Sequence, residues 1–352
     1  MKKHLTTIRP GLLFFYVHFV TEILCFFLLG KYTGDGVLMW LIPLTYDMLA
    51  FVPQSLIGKL SDKFPRLPLG VVGLLLMAGA LGLFPVLHNP FISLVILCIG
   101  NGCTHIAGAE ATLRFSDGKL SPAAIFVSGG SFGVITGKLL SRTALPLWVL
   151  ILLAATAVPF SLLGREYRLD ADKKSEHPCA PFCYHDPKLP PVVIVILSVL
   201  IVAVRGYMGY GIPTSWNKTT VQTVLLFVTM GVGKALGGIL ADFFGVRRTA
   251  LLSAALALPF LLFGDRRMLV SLVGVMLFSM TMSITLALLV SVLPDSPGLA
   301  FGLTTIGLFI GTAPIFFFKF TTVKANCTVI VILTAVCLAA MHLILRRDRS
   351  HV

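Results

Sequence analysis

Apolar runs long enough to cross a bilayer alternate with short polar segments along almost the whole chain. A membrane-spanning helix needs about 20 predominantly apolar residues. Polar residues, Gly or Pro mark the turns between most of the runs. The pattern therefore predicts about twelve spans, over residues 11–30, 37–57, 68–87, 91–112, 121–141, 145–163, 191–210, 219–240, 248–264, 268–290, 298–318 and 326–345.

The longest polar stretch, residues 164–190, divides the chain near its middle. Six predicted spans lie on either side of it. We interpret this stretch as a linker between an N-terminal unit over residues 1–163 and a C-terminal unit over residues 191–352.

The two units share a short motif. Residues 58–64 and 238–244 both read Gly-x-Leu-x-Asp-x-Phe, and each copy follows the second span of its unit. Parallel repeats of six spans are a known plan of membrane proteins, with a binding site between the repeats near the bilayer midplane. The repeat predicts an all-α membrane protein made of two pseudo-symmetric six-helix bundles.

The composition excludes a soluble globular domain. It also means that the positive net charge must be interpreted as that of a membrane protein. Hydrophobic residues make up 57% of the chain and charged residues 12%, whereas soluble domains carry about 25% charged residues. The net charge of +13 comes mostly from short segments between apolar runs, as expected from the positive-inside rule and anionic lipid. This bias predicts that both termini and the linker are cytoplasmic, and it requires no nucleic-acid partner.

The repeated motif resembles the signature of major facilitator superfamily transporters, and the resemblance extends over essentially the whole chain. The second copy matches that signature through Gly238, Asp242, Arg247 and Arg248. The first copy has Gly58, Asp62 and Arg66, with Pro65 in place of the second glycine. The resemblance implies the major facilitator fold. We expect the two aspartates to lock helix ends in one conformational state rather than to contact substrate. Their carboxylates can meet helix N-termini and nearby arginines across the contact between the halves.

A closer resemblance is to fosmidomycin-resistance efflux proteins of bacterial inner membranes. Asn101 and His105 lie in a fourth span similar to theirs, and the glycines between Gly129 and Gly137 lie in a fifth span similar to theirs. Lys138 stands where the antiporter motif has a proline. The resemblance implies an inner-membrane efflux antiporter.

Three ionisable residues lie near the middle of the first two spans. His18 and Glu22 are four positions apart and share a helix face, and Asp47 lies in the second span. A charged group at the centre of a membrane helix costs at least about 2.5–3.5 kcal/mol, so these residues are candidates for proton coupling or substrate binding. The alternative is a polar group satisfied inside the bundle with no role in transport.

Further candidates lie in other spans. Arg205, near Gly206, Gly209 and Gly211, could face a cavity where the backbone unwinds and bind an anion. The alternatives for Arg205 are an ion pair with Glu22 or Asp47, and snorkelling from the outer third of the span toward the membrane surface. Lys138, Lys234, Asn101 and His105 complete the predicted coupling and substrate-binding set. The alternative for His105 is a hydrogen bond in helix packing with no role in transport.

The linker contains His177, Cys179, Cys183 and His185, which are ligand types that zinc accepts. Their spacing matches no standard zinc finger, and the sequence leaves metal binding at this cluster undecided. We assign no metal site and no cofactor from sequence. Motifs for ATP hydrolysis or other catalysis are missing, so the chain is not expected to be an enzyme.

We expect secondary active transport by alternating access. The first hypothesis is proton-coupled export of a small amphipathic or anionic compound. The alternatives are proton-coupled uptake of a small organic anion and a non-transporting membrane receptor or scaffold. The expected partners are a small-molecule substrate, protons and membrane lipid, and the expected state is a monomer.

Overall fold

A computed structural model describes residues 2–32, 38–87, 90–174, 182, 184–318 and 322–345. Within these residues the regular structure is helical. The helices are α1 (Lys2–Tyr32), α2 (Leu38–Phe51), α3 (Gln54–Lys63), α4 (Leu69–Leu83), α5 (Pro90–Arg114), α6 (Ser121–Leu140), α7 (Leu147–Lys174), α8 (Pro191–Gly211), α9 (Thr220–Phe244), α10 (Val246–Phe263), α11 (Met268–Val292), α12 (Pro297–Thr312), followed by a 3₁₀ turn at Ala313–Phe316, and α13 (Val323–Ile344).

The helices follow the predicted spans closely. Ten helical segments of the described chain are long and apolar enough to cross a membrane, and α4 is a shorter apolar helix. The second predicted span is divided, because the chain turns at Val52 and Pro53 between α2 and α3. Proline lacks an amide hydrogen and its ring clashes with the preceding turn of a helix, which explains the break.

Local sequence sets several helix ends. Pro122, Pro191 and Pro297 lie in the first turns of α6, α8 and α12, where a missing amide hydrogen leaves no bond unmade. Thr219 and Gln222 form a capping box at the start of α9. Gly245 has a φ of 89° and separates α9 from α10, a conformation that glycine adopts without strain.

The helices pack as two groups that meet along two helix pairs. Helices α1 and α4–α7 pack on one another, and α8–α11 and α13 do the same. The contact between the groups is formed mainly by α6 against α9 and by α12 against α3. Each pair joins the fifth span of one half to the second span of the other.

The predicted linker differs at both ends from a plain loop. Helix α7 continues to Lys174, beyond the predicted boundary at 163, because no Pro or Gly follows Gly164 until Pro178. Near the other end, the Tyr184 hydroxyl donates to the carbonyl oxygen of Gly118. His185 Nδ1 lies 2.9 Å from Ser291 Oγ, and the Asp186 amide donates to Ile344 O at 2.9 Å. Residues 184–186, the tie segment, therefore contact both halves.

Candidate functional site

Glycines of α6 bring α1 close enough to form a polar cluster. A Cβ at Gly129 would lie 2.4 Å from Phe15 O, and one at Gly133 would lie 2.7 Å from Glu22 Cβ. A Cβ at Gly130 would lie 2.5 Å from His18 Nε2. Small residues at this spacing let membrane helices approach backbone to backbone. The glycine pattern therefore positions His18 and Glu22.

Two histidines and a carboxylate meet between α1 and α5. His105 Nε2 lies 2.9 Å from His18 Nε2 and 3.3 Å from Glu22 Oε1. His18 Nε2 lies 3.6 Å from the same carboxylate oxygen. The three residues are 7–8% exposed. We call His18, Glu22 and His105 the central triad.

Backbone carbonyls fix the hydrogen positions on both imidazoles. His18 Nδ1 lies 2.9 Å from Phe126 O, and His105 Nδ1 lies 2.9 Å from Asn101 O. A carbonyl oxygen only accepts, so each Nδ1 carries a hydrogen and each neutral Nε2 is an acceptor. Two Nε2 lone pairs and one carboxylate oxygen thus converge with no donor among them. A bound cation, a proton included, would satisfy all three.

Asn101 connects the triad to neighbouring side chains. Its Nδ2 lies 3.3 Å from Glu22 Oε1, 3.3 Å from the Tyr46 hydroxyl and 3.4 Å from Cys25 Sγ. Sequence reasoning found Asn101 but missed Tyr46 and the carbonyl of Phe126. Tyr46 directly precedes Asp47 in an otherwise apolar run, and that position was the available signal.

Aromatic rings from both halves cover the triad. The His105 and Phe301 ring centroids are 6.2 Å apart with the planes 30° from parallel. Phe126 of α6 lies 5.0 Å from the His18 ring and 6.1 Å from Phe301. Phe301 belongs to α12, so one wall of the buried triad comes from the C-terminal half. A displacement of α12 would change access to the triad.

Asp47 is not part of the triad. Its Oδ2 accepts a hydrogen bond of 3.3 Å from Thr312 Oγ1 at the end of α12. The sequence predicts Asp47, in the second span, as a candidate for proton coupling or substrate binding. In the structure this carboxylate takes part in a contact between the two halves.

The three predicted cations occupy different surroundings. Lys138 Nζ lies 5.3 Å from the Phe26 ring centroid and 5.1 Å from that of Phe227, so it lies between α1 and α9. Lys234 lies on α9. Among the described residues, neither lysine forms an ion pair with a carboxylate.

Arg205 lies inside the C-terminal half. Its Nη2 donates to Phe278 O at 3.3 Å, and the guanidinium lies 5.3 Å from the Phe278 ring centroid. It borders a small cavity whose lining also includes Cys337. The predicted unwinding near Arg205 is wrong, because α8 remains helical to Gly211. Its ion-pair alternative is also wrong: among described residues, the salt bridges of Glu22 go to His18 and His105, and none involves Asp47.

The two motif aspartates bind helix N-termini of the opposite half. Asp62 accepts from the amides of Gly298 and Leu299 at 3.0 and 2.9 Å, at the start of α12. Asp242 accepts from the amides of Leu120 and Ser121 at 2.8 and 2.9 Å, at the start of α6. A carboxylate here satisfies amides that have no partner within their helix, and it interacts favourably with the helix dipole. We call this end of the molecule the aspartate end.

Close backbone contacts accompany these bonds. A Cβ at Gly58 would lie 2.1 Å from Gly298 O, and one at Gly238 would lie 2.3 Å from Ala124 Cβ. Asp62 also pairs with Arg114 at 3.3 Å. The motif glycines therefore permit the approach that the aspartates stabilise.

Among the described residues, Arg247 and Arg66, two basic residues of the motif, form hydrogen bonds within their own half and not across the contact. Arg247 donates to the carbonyl oxygens of Leu345 and His342. Arg66 accepts, through its carbonyl oxygen, a bond of 2.7 Å from Arg165 Nη2. Arg248 is exposed.

The linker cluster falls mostly outside the described residues. His177, Cys179 and Cys183 lie there, and nothing follows for a metal site among them. Of the four, the described His185 contacts Ser291 in the tie segment.

Comparisons with known structures identify the fold. No protein-family profile matches the chain, and no curated protein matches it. The human organic anion transporter MFSD10 (TETRAN) is similar with a TM-score of 0.61 at 16% identity, over 97% of this chain and 99% of that one. The Escherichia coli fucose:proton symporter FucP gives 0.65 at 16% identity, over 96% and 98%. FucP in the outward conformation gives 0.61 at 14% identity, over 96% and 99%.

The chain is therefore a multi-pass membrane protein with the major facilitator fold, as the sequence predicted. The similarity to the fosmidomycin-resistance group receives no support from these structures.

Proposed function

We propose that the chain is a proton-coupled secondary transporter of a small organic anion that works by alternating access. The central triad carries this proposal. Three acceptor atoms face one another in a buried site of a membrane protein, and a proton between His18 Nε2 and His105 Nε2 would neutralise the Glu22 carboxylate beside them. An ionisable group of this kind inside a membrane protein is expensive unless it has a function.

The contacts between the halves support the conformational part of the proposal. Phe301 of α12 covers the triad, and Asp62 binds the start of the same helix. Movement of α12 away from α3 would break the Asp62 bonds and uncover His105 in one step. Protonation of the triad and rearrangement of the halves are therefore mechanically connected.

The charge distribution supports an anionic substrate. Lys138 and Lys234 lie on α6 and α9, the pair that joins the halves, and they form no ion pair with a described carboxylate. A cation without an acidic partner attracts anions, and low dielectric surroundings strengthen that attraction. The printed name of MFSD10 describes an organic anion transporter, which agrees with this choice.

For direction we propose export from the cytoplasm of a bacterial cell, with both termini inside. The supports are the resemblance of α5 and α6 to efflux proteins and the excess of Lys and Arg on the side of the termini. Uptake by symport is the alternative, and the similarity to the symporter FucP favours it.

Reconstitution of the purified protein tests the proposal. A thermal-shift screen of small organic acids first identifies an anion that raises the melting temperature, since a ligand of the folded state stabilises it. The anion is then offered to proteoliposomes with a pH gradient of either sign. Accumulation opposite to the proton flow indicates antiport, and accumulation along it indicates symport. Equal fluxes with and without a gradient would reject proton coupling.

Lys138 provides a test of the anionic substrate. Lys138→Met keeps the length of the side chain and removes its charge. Hydrogen bonds to charged groups contribute about 1.5–3 kcal/mol, so the Kd of the anion is expected to rise by about 10- to 100-fold. Isothermal titration of purified protein measures this change.

Lys31→Met is the matched control, because Lys31 also lies over an aromatic ring, at 5.3 Å from Phe27, but is exposed. An unchanged Kd in Lys138→Met, or an equal loss in Lys31→Met, would contradict a substrate contact at Lys138.

A further inference from the structure

The central triad resembles a metal-binding site in its ligand types and in the distances between its ligand atoms. Nε2 of His18, Nε2 of His105 and a carboxylate oxygen of Glu22 all lie within 4.8 Å of one another. Two imidazoles and one carboxylate are a ligand set that zinc and related ions accept. With metal–ligand distances of about 2.0–2.2 Å in a tetrahedron, ligand atoms lie about 3.3–3.6 Å apart. The two separations between Glu22 Oε1 and the histidine nitrogens, 3.3 and 3.6 Å, lie in this range. The separation between the two Nε2 atoms is shorter, at 2.9 Å.

Hydrogen bonds around the triad hold its side chains in the orientation that metal ligands usually have. Metal-binding histidines usually donate their second ring N–H to a carbonyl or carboxylate, which fixes the ring and the tautomer. Both histidines here meet that condition, through Phe126 O and Asn101 O. Asn101 Nδ2 in turn donates to the carboxylate oxygen of Glu22. The ligand atoms are thus held in place, and the two Nε2 atoms lie 2.9 Å apart.

We propose that His18, Glu22 and His105 bind one divalent transition-metal ion of the zinc class, in exclusion of the proton. Both cations use the same lone pairs, so only one of them can occupy the triad at a time. The metal-bound protein is consequently unable to complete a proton-coupled cycle. The proposal extends beyond transport, because binding of the ion requires only the geometry of the triad.

The binding experiment uses the full chain in detergent, without any transport. Co²⁺ is the probe, since its visible spectrum distinguishes tetrahedral nitrogen and oxygen ligation from ions held loosely at a surface, and Zn²⁺ is then added in competition. We expect one Co²⁺ per chain with a low-symmetry tetrahedral spectrum that Zn²⁺ abolishes. No Co²⁺ bound, or an octahedral aqua-like spectrum only, would overturn the proposal.

Variants locate the ion. His105→Gln removes an imidazole nitrogen, and Glu22→Gln replaces the carboxylate by a neutral amide, which is a weaker metal ligand. Each is expected to weaken binding by at least about tenfold, the scale on which even supporting partners of metal ligands act. Size-exclusion profiles and melting curves show whether each variant is folded. His342→Gln is the matched control, because His342 is exposed on α13 beside Arg247 and its loss should leave binding unchanged.

The linker cluster is the competing location. In a chain carrying Cys179→Ser and Cys183→Ser, the triad is intact and the Co²⁺ spectrum should persist. Loss of the spectrum there, together with its retention in His105→Gln, would overturn the proposal and assign the ion to the linker. Either result leaves proton-coupled transport to be judged by the gradient assay alone. Conversely, a protein that binds the ion but transports nothing would reject the transport proposal and keep the metal site.

Discussion

Glu22→Gln should abolish accumulation of the anion driven by a pH gradient while leaving exchange of anion for anion within about threefold of the parent rate. Glutamine has the shape of a protonated glutamate but binds no proton. The imidazolium formed by His18 or His105 would then be buried without a counter-charge, which costs about 3–5 kcal/mol when one partner of a buried ion pair is removed. The triad would therefore stay empty of protons, and the gradient would no longer drive the cycle.

Two assays on the same proteoliposomes measure this result. One follows uptake under an imposed pH gradient, and the other follows exchange with equal pH and anion on both sides. Asp295→Asn is the control, because Asp295 is an exposed acid in the turn before α12. If Glu22→Gln accumulates the anion at the parent rate, Glu22 is not the coupling group, and Asp47 becomes the next residue to test.

Asp62→Asn should slow net transport while keeping the affinity for the anion within about threefold. Asparagine offers one acceptor oxygen, so the amides of Gly298 and Leu299 lose one hydrogen bond and the negative charge at the start of α12. Hydrogen bonds to charged groups contribute about 1.5–3 kcal/mol, which corresponds to about a 10- to 100-fold change in the ratio of conformations. The expected shift is toward molecules that are open at the aspartate end.

A thiol in the contact between α3 and α12 reports this opening. The Cα of Ser55 would lie 2.3 Å from a Cβ at Gly302, so Ser55 faces the backbone of α12. With Cys179 and Cys183 replaced by Ser, Ser55→Cys should react faster with a maleimide when Asp62 is Asn.

Asp117→Asn is the control for this prediction. Asp117 is exposed at the same end and has a φ of 55°, which asparagine adopts readily. A large loss of affinity with normal turnover in Asp62→Asn would place Asp62 in the binding site and contradict a conformational role.

Local patterns in the sequence predicted much of the fold. Runs of about 20 apolar residues located the helices because a bilayer requires each backbone group to be bonded within its segment. The repeated motif predicted that Asp62 and Asp242 meet helix N-termini across the two halves, and the structure contains those bonds. Pro53 could have indicated that the second span is divided into two helices. The apolar residues around it instead led to the prediction of one continuous span.

Contacts between side chains far apart in the sequence could not be predicted from the sequence. His18 and Glu22 were expected to share a face because they are one helix turn apart, but the sequence did not indicate that His105, 83 positions after Glu22, would complete their cluster. Arg205 illustrates the opposite error. Glycines beside it suggested that the backbone unwinds there, whereas α8 stays helical through these glycines. Helix α8 packs against α11, and the Arg205 guanidinium donates to Phe278 O.

The tie segment changes how the connection between the halves should be regarded. Tyr184 is bonded to the N-terminal half, while His185 and Asp186 are bonded to the C-terminal half. Three consecutive residues thus connect the two halves by hydrogen bonds at the aspartate end. A linker without these bonds would leave the two halves free to rotate relative to each other. With them, at least one hydrogen bond of the tie segment must break before the halves separate at this end. In the proposed alternating-access cycle, the chain between the halves would therefore contribute to the energy barrier of their movement, and its length alone would not set how far they move.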